Sequence, residues 1–344
     1  MLQTQSPDVY LDIQKLADGV YAAIRKEPPG LAVDANVLFI INESDVVLVD
    51  ANIGPESAGA TLRALRNLTA KPISAIVATH YHDDHMGGTQ TFLRDSPKAE
   101  LIAHETSPKA IQELLKPART GMIEMAPQMS KYLRELMDEG KSVGGWDIAD
   151  EERTSYQNDI RIAERYGREM PEIPLPSPTR LVKGKVVLSR GSRTIEILHL
   201  GAGHTPNDLV VFLPKEKIVA TGDLLVYPVP LVGGPQSSIK HWPATLDKLM
   251  HLKASQIVPG HGPVLRDNAF PMKMRNLFLD AYAGVTAALK RGETLEQVQK
   301  SLDITKHEKS FCADSKVRKV LWDNYVKAPT IVAAFREASS ANPQ

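Results

Sequence analysis

The sequence predicts a layered α/β fold, and three observations lead there. Short apolar runs alternate with longer segments whose apolar residues recur at helical spacing. Several of the runs end in histidine or aspartate, at the carboxyl ends of strands where open α/β sheets commonly place their chemistry. A chain of 344 residues can bury a substantial core, and layered α/β folds reach this size as one unit, here with a helical insertion.

Residues 9–24 alternate between apolar and polar positions, which predicts an opening hairpin around Asp18 and Gly19. Asn36 to Ile41 and Val46 to Asp50 form a second strand pair across the turn-rich Asn42 to Asp45. Leu62, Leu65 and Leu68 mark a helix over residues 55–68, followed by the apolar run Ile73 to Ala78, so strand, helix and strand succeed one another. A short helix from Thr89 to Arg94 leads to a strand from Ala99 to Ala103. Residues 105–176 then turn rich in Glu, Lys, Arg, Met and Leu. They predict a helical insertion with helices over 107–116, 126–140 and 151–166, forming a lid or pocket wall. Strands resume at 180–182, 186–189, 194–199, 209–213 and 218–223, a helix covers 243–252, and a last strand runs into Ile257 to Pro263. The remainder predicts three helices, broken at Arg291-Gly292-Glu293 and between His307 and Asp314.

The densest chemistry lies in Thr79-His80-Tyr81-His82-Asp83-Asp84-His85, directly after the apolar run. Three of the ten histidines fall within six positions beside an aspartate. His80 and His82 are two apart, so an extended chain points them the same way, and the turn beyond can swing Asp84 and His85 towards a neighbouring point. Two adjacent metals become possible. Imidazole and carboxylate without thiolate suit zinc, iron or manganese, and the nitrogen-rich set favours zinc. His204 lies in a glycine-flanked loop, Asp223 and His261 end later strands, and Asp50 ends an early one. Collected, His80, His82, Asp84, His85, His204, Asp223 and His261 give seven candidate ligands.

Composition narrows the partners. Lys plus Arg and Asp plus Glu both number 41, so no polyanion and no nucleic acid is expected. Cys312 is the single cysteine, which rules out an internal disulfide and a thiolate-rich zinc site. It is read as an inert thiol. No run of about 18 apolar residues predicts a membrane span.

These residues resemble the metallo-β-lactamase superfamily. The HxHxDH hallmark stands as His80-Tyr81-His82-Asp83-Asp84-His85, followed by a GHT-type histidine at His204, Asp223 after a strand, and a PGHG histidine at His261. Asp50 matches the family's first aspartate, which supports the histidine loop from behind the ligands. The resemblance covers roughly residues 10–265. It implies an αββα sandwich of two mixed sheets between outer helices. It also implies a first zinc on His80, His82 and His204, a second on Asp84, His85 and His261, and Asp223 bridging them. The expected organisation is a catalytic domain over 1–267 containing the 105–176 insertion, with a helical extension over 268–344 packed on it.

Within the family, Gly201 to Pro214 resembles the corresponding block of the β-lactamases that use a cysteine ligand, yet Asp223 stands where they have that cysteine and His85 where they usually lack histidine. The metal set is closer to glyoxalase II-like thioesterases and lactonases. The implied activity is a two-zinc hydrolase whose metal-bridging hydroxide attacks an acyl substrate: a β-lactam, lactone, ester or thioester. Asp84 would relay the water's proton, and Tyr81 and Trp242 would border the substrate. The alternatives are a phosphodiesterase or nuclease, which would need a basic groove, and an iron-containing redox member of the same fold. A bacterial periplasmic location, with its signal peptide outside this sequence, is preferred over the cytoplasm.

Overall fold

The computed structural model describes residues 10–234 and 236–341. The expectations that touch residues 1–9 and 342–344 lie outside the described residues. Twelve strands form two sheets among the described residues. The first sheet holds β1 (Leu11–Ala17), β2 (Val20–Arg25), β3 (Val37–Ile41), β4 (Val46–Val49), β5 (Ile73–Val77), β6 (Glu100–His104) and β7 (Arg180–Val182), side by side in chain order. Its first four strands pair antiparallel and the rest parallel. The change falls at β4, after which helix α1 (Pro55–Leu68) makes the crossover that a parallel neighbour requires. The second sheet contains β8 (Lys185–Arg190), β9 (Arg193–Leu198), β10 (Val210–Leu213), β11 (Ile218–Val226) and β12 (Gln256–His261), with only β11 and β12 parallel.

Strand periodicity explains the layering. In the register that sets Leu38 opposite Val49 and Phe39 opposite Leu48, Leu38, Ile40, Val47 and Val49 share one buried cluster with Ile195, Ile197, Val211 and Ile218 of the other sheet. Their neighbours Val37, Phe39, Val46 and Leu48 face the other way, onto Ala58, Ala64 and Leu65 of α1. Short helix α2 (Asp83–Met86) and α3 (Thr89–Asp95) complete that outer layer through Met86 and Phe92. Truncating fully buried Phe39 to alanine would cost about 3–5 kcal/mol.

The 105–176 segment contains α4 (Ser107–Ala110), a π-helical turn (Ile111–Leu115), α5 (Lys116–Glu139), α6 (Asp150–Glu169) and a 3-10 turn (Met170–Glu172). Helix α5 extends the helical stretch expected over 126–140 back to Lys116. Pro117 sits in the first turn, where its missing N–H costs nothing, and Pro127 is exposed, so water can satisfy the carbonyl it leaves unpaired. Asp150, Glu151 and Glu152 open α6 with negative charge at the helix N-terminus, and Glu152 accepts the Ala149 N–H at 2.9 Å.

Helices α7 (Trp242–His251) and α8 (Ala269–Lys290) cover the outer face of the second sheet, where Val210, Phe212 and Val219 meet Leu246, Leu249, Met274, Leu277 and Phe278. The result is an αββα sandwich with a helical carboxyl-terminal extension. That extension departs from three helices. After the break at Gly292 come α9 (Leu295–Ser301), α10 (Thr305–Cys312), α11 (Lys316–Trp322), a π-helical turn (Asp323–Lys327) and α12 (Ala328–Ala341). Residues 307–312, expected as a break, are helical because His307, Phe311 and Cys312 fall on one buried face, with Phe311 stacked on Trp322 at 5.7 Å between centroids. No helix among the described residues is long and apolar enough to cross a membrane.

Candidate metal centre

Strand ends deliver the site. After β5 the chain bends through Thr79 to His82 and enters α2, which places His80, His82, Asp84 and His85 on one concave surface. Asp50, just beyond β4, is the anchor. Its φ of 64° is the left-handed conformation that aspartate tolerates better than most residues. Its carboxylate accepts from Thr79 N at 2.8 Å, Thr79 Oγ1 at 3.0 Å and His85 Nδ1 at 2.7 Å. Since Thr79 Oγ1 donates to Asp50, it accepts from His80 Nδ1 at 3.2 Å. Asp50 thus orients one histidine directly and another through a hydroxyl.

From the second sheet, His204 stands in a turn held by Asp208, which accepts from Thr205 N and Oγ1. Its Nδ1 donates to the Leu231 carbonyl at 2.9 Å. His261, closing β12, donates from Nδ1 to the Asp34 carbonyl at 3.1 Å. Asp223 follows Gly222 in β11, where the register with β12 shifts. Gly222 has a φ of 50° and a Cβ there would overlap Thr79; a Cβ at Gly260 would overlap Asp223 itself. Gly222 lets the two sheets approach closely at Thr79, and Gly260 leaves room for the Asp223 carboxylate on the neighbouring strand.

The seven candidate ligands fall into two groups, His80 with His82 and His204, and Asp84 with His85, Asp223 and His261, the donor atoms of each group lying within 4.8 Å of one another. Asp223 joins them: its Oδ1 lies 3.1 Å from His85 Nε2 and 3.3 Å from His261 Nε2, and its Oδ2 lies 3.6 Å from His204 Nε2. With their Nδ1 atoms bonded outward, His80, His85 and His261 each present a buried Nε2 that has no hydrogen-bond partner, as does Asp223 Oδ1. His82 Nδ1 and His204 Nε2 face each other at 3.0 Å. Lone pairs converging on a buried point, with outward nitrogens fixed by second partners, fit a pair of divalent cations. The charge pattern agrees. Burial, then the neighbouring imidazoles, holds His80 well below the ordinary histidine range, and burial and His204 bring His82 down to about 3, so both offer neutral nitrogen. At His261 the lowering by burial is outweighed by Asp223 and Asp84, which raise it to about 10. Asp50, Asp84 and Asp223 likewise outweigh burial at His85 and keep it well above its usual value. A divalent cation would compete with the proton for those two imidazoles.

Only His82 and Asp84 of the seven are partly exposed. A cleft of about 360 Å³ adjoins His261, walled by residues 226–231, the 28–34 loop, Ile162 of α6, Leu321 and Tyr325. The 105–176 segment therefore contributes a pocket wall. It also braces the histidine loop, since Arg119 of α5 donates from Nε to Asp83 Oδ2 at 2.8 Å and Tyr166 of α6 donates to the same oxygen at 2.6 Å.

Two expected cleft residues are elsewhere. Tyr81 is buried in the cluster under α1 and α3 and meets the His82 ring edge-on at 4.7 Å between centroids. Trp242 is fully buried against Phe278, with its indole N–H donating to the Leu224 carbonyl at 3.2 Å, so it backs His204 and leaves no face for substrate. Thr79, Asp83, Arg119, Tyr166 and the Asp34 carbonyl were not singled out from sequence. A hydroxyl beside paired histidines was the one signal that could have flagged Thr79. Cys312 is buried, and burial raises its thiol to about 11, in keeping with an inert role.

Two stacked sheets between helices, with imidazoles and carboxylates gathered at their strand ends, define a metal-binding member of the αββα class. A model of the metallo-beta-lactamase superfamily matches residues 31–261, and the chain belongs to that superfamily, whose members are hydrolytic metalloenzymes. Among curated relatives, the linear primary-alkylsulfatase of a Pseudomonas species is 24% identical over 63% of this chain, and the match spans only 39% of that protein. The acyl-coenzyme A thioesterase MBLAC2 of Gallus gallus is 24% identical over 66% of this chain and 72% of its own length. Metallo-beta-lactamase IND-1 of Chryseobacterium indologenes is 22% identical, covering 67% and 73%. Among solved structures, a metallo-beta-lactamase from Pontibacter korlensis superposes with a TM-score of 0.53 at 19% identity, covering 78% of this chain and 99% of that one, which shows the shared fold.

Proposed function

We propose that this chain is a dinuclear zinc-dependent hydrolase of an acyl substrate, a β-lactam, lactone, ester or thioester. In this reading residues 1–267 are the catalytic domain, 105–176 its inserted wall and 268–344 an extension packed on it. The convergence of seven donor atoms into two adjacent groups sharing Asp223 is the observation that supports it. His80, His82 and His204 would hold one ion, Asp84, His85 and His261 the other, and Asp223 both. Zinc bound there would polarise the substrate oxygen and lower the pKa of water from about 15.7 to about 7, supplying a nucleophile at neutral pH.

The chain's own residues do the rest. Although burial raises the Asp84 carboxyl, His85 and His261 outweigh it and hold it well below the usual range, so it is ionised. Partly exposed beside His261, it can accept the proton that water gives up. Asp50 keeps His85 in one orientation, and the Asp34 and Leu231 carbonyls do the same for His261 and His204.

A panel of a chromogenic cephalosporin, an acyl-homoserine lactone, a thioester and a phosphodiester, each with and without chelator, tests the reading. Turnover of at least one acyl compound that stops with chelator and returns with zinc is the expected result. Turnover of the phosphodiester alone would point to the nuclease alternative, and iron as the metal of unsupplemented protein to the redox one.

A further inference from the structure

The carboxyl-terminal extension reaches the metal centre through its last helix. Half-buried Glu337 of α12 accepts at Oε1 from the Ser238 hydroxyl and at Oε2 from Lys240 N at 2.9 Å. Its neighbour Arg336 donates from Nη2 to the Ser237 carbonyl at 2.7 Å. In the π-helical turn ahead of α12, the Tyr325 carbonyl accepts from Val232 N at 3.0 Å. The connection from β11 to α7 is thus tied to the extension at Val232 on one side and at Ser237, Ser238 and Lys240 on the other.

That connection is the one that wraps His204. The Leu231 carbonyl accepts from His204 Nδ1 at 2.9 Å, Ser237 Oγ donates to the His204 carbonyl at 2.8 Å, and Ser238 N donates to the adjoining Gly203 carbonyl at 2.9 Å. A Cβ at Gly233 would overlap the His204 ring, so the backbone lies directly against the imidazole. Ring, carbonyl and preceding peptide of His204 are therefore fixed only as firmly as the connection is. A carboxylate that takes a hydroxyl and a backbone N–H together is a strong way to fix it, because hydrogen bonds to an ionised acceptor are about twice as strong as neutral ones. His85 and His261 are oriented from elsewhere, by Asp50 and the Asp34 carbonyl. We propose that Glu337, with Arg336 beside it, is a positioning residue that clamps this connection onto His204, so that α12 sets the metal affinity of the His80, His82 and His204 group and leaves that of the Asp84, His85 and His261 group alone. This rests on the two-metal reading for what His204 holds, while the clamp itself can be read without metal or turnover.

The test uses the full chain with its histidines labelled with ¹⁵N. Metal-free, the spectrum should show His204 with its proton on Nδ1, and Glu337→Ala should weaken or broaden that signal. Competitive zinc titration against a chelator, followed through the His204 and His261 signals, reads the two positions separately. Glu337→Ala should weaken the first by about ten-fold and change the second by less than about two-fold. Glu337→Gln, which can still accept from Lys240 N and donate to Ser238 Oγ, should restore most of the loss. If Glu337→Ala fails to fold, Ser238→Ala removes the same contact from the other side with α12 intact, and should weaken the first position selectively, by less. A denaturant midpoint that falls while both zinc affinities hold or drop equally overturns the proposal, since Glu337 would then serve stability alone. So does a His204 signal unchanged in every variant. Absence of zinc binding by the unaltered chain would sink the metal reading and leave the His204 signal to decide the clamp.

Discussion

The two donor groups are built on opposite principles. His80, His82 and His204 are three imidazoles packed together with no carboxylate of their own, and burial and mutual repulsion keep them neutral. Asp84, His85, Asp223 and His261 alternate acid with base, so each charge has a counter-charge within about a hydrogen bond's reach. The second group holds itself together by attraction. The first has to be held in place from outside, by Thr79, the Leu231 carbonyl and the bend after β5. Asp223 turns one carboxylate oxygen to His85 and His261 and the other to His204, which makes it the residue on which the difference between the groups turns.

The largest effect is expected at that residue. Asp223→Ala should lower metal at both positions and bring hydrolysis to background; elemental analysis that finds one position still filled would show that the groups are independent. His82→Ala and Asp84→Ala each touch one group, and each should lose activity and lower bound metal while the other group keeps its ion. Full activity with unchanged metal in either variant defeats the ligand assignment. Asp50→Asn, which tolerates the same left-handed backbone, should weaken metal affinity by about 10 to 100-fold. Its loss should be greater at the second group, because His85 is its direct partner and His80 is reached only through Thr79. Competitive metal titration would read that difference, and equal weakening would remove it. Tyr166→Phe is the mildest change. It takes one hydrogen bond from Asp83 and should cost about 1.5–3 kcal/mol in denaturant unfolding, with metal content unchanged.

What could be read from the sequence follows the same division between local and distant. Four donors within six residues at the end of an apolar run, and three more at later strand ends, are local patterns, and the structure places all seven together. Asp50 was visible for the same reason. The braces were not. Arg119 and Tyr166 reach Asp83 from 36 and 83 residues away, and His261 is held by a backbone carbonyl, a group every residue has. Trp242 shows the limit from the other side: at the start of a helix next to the site, only packing decides which way an indole faces, and here it faces the core. The second break in the tail is narrower than expected, falling only after Cys312 between α10 and α11, since the buried face of α10 becomes apparent only against Trp322 and Phe270.

In the proposed site one shared carboxylate lets two unlike groups grip two cations at once. Zinc saturation of the unaltered chain, followed by exhaustive dialysis and elemental analysis, measures it directly. Two ions retained per chain and a single ion after His82→Ala are expected; a chain that retains none, yet hydrolyses an acyl substrate undiminished in the presence of chelator, would contradict a two-metal site.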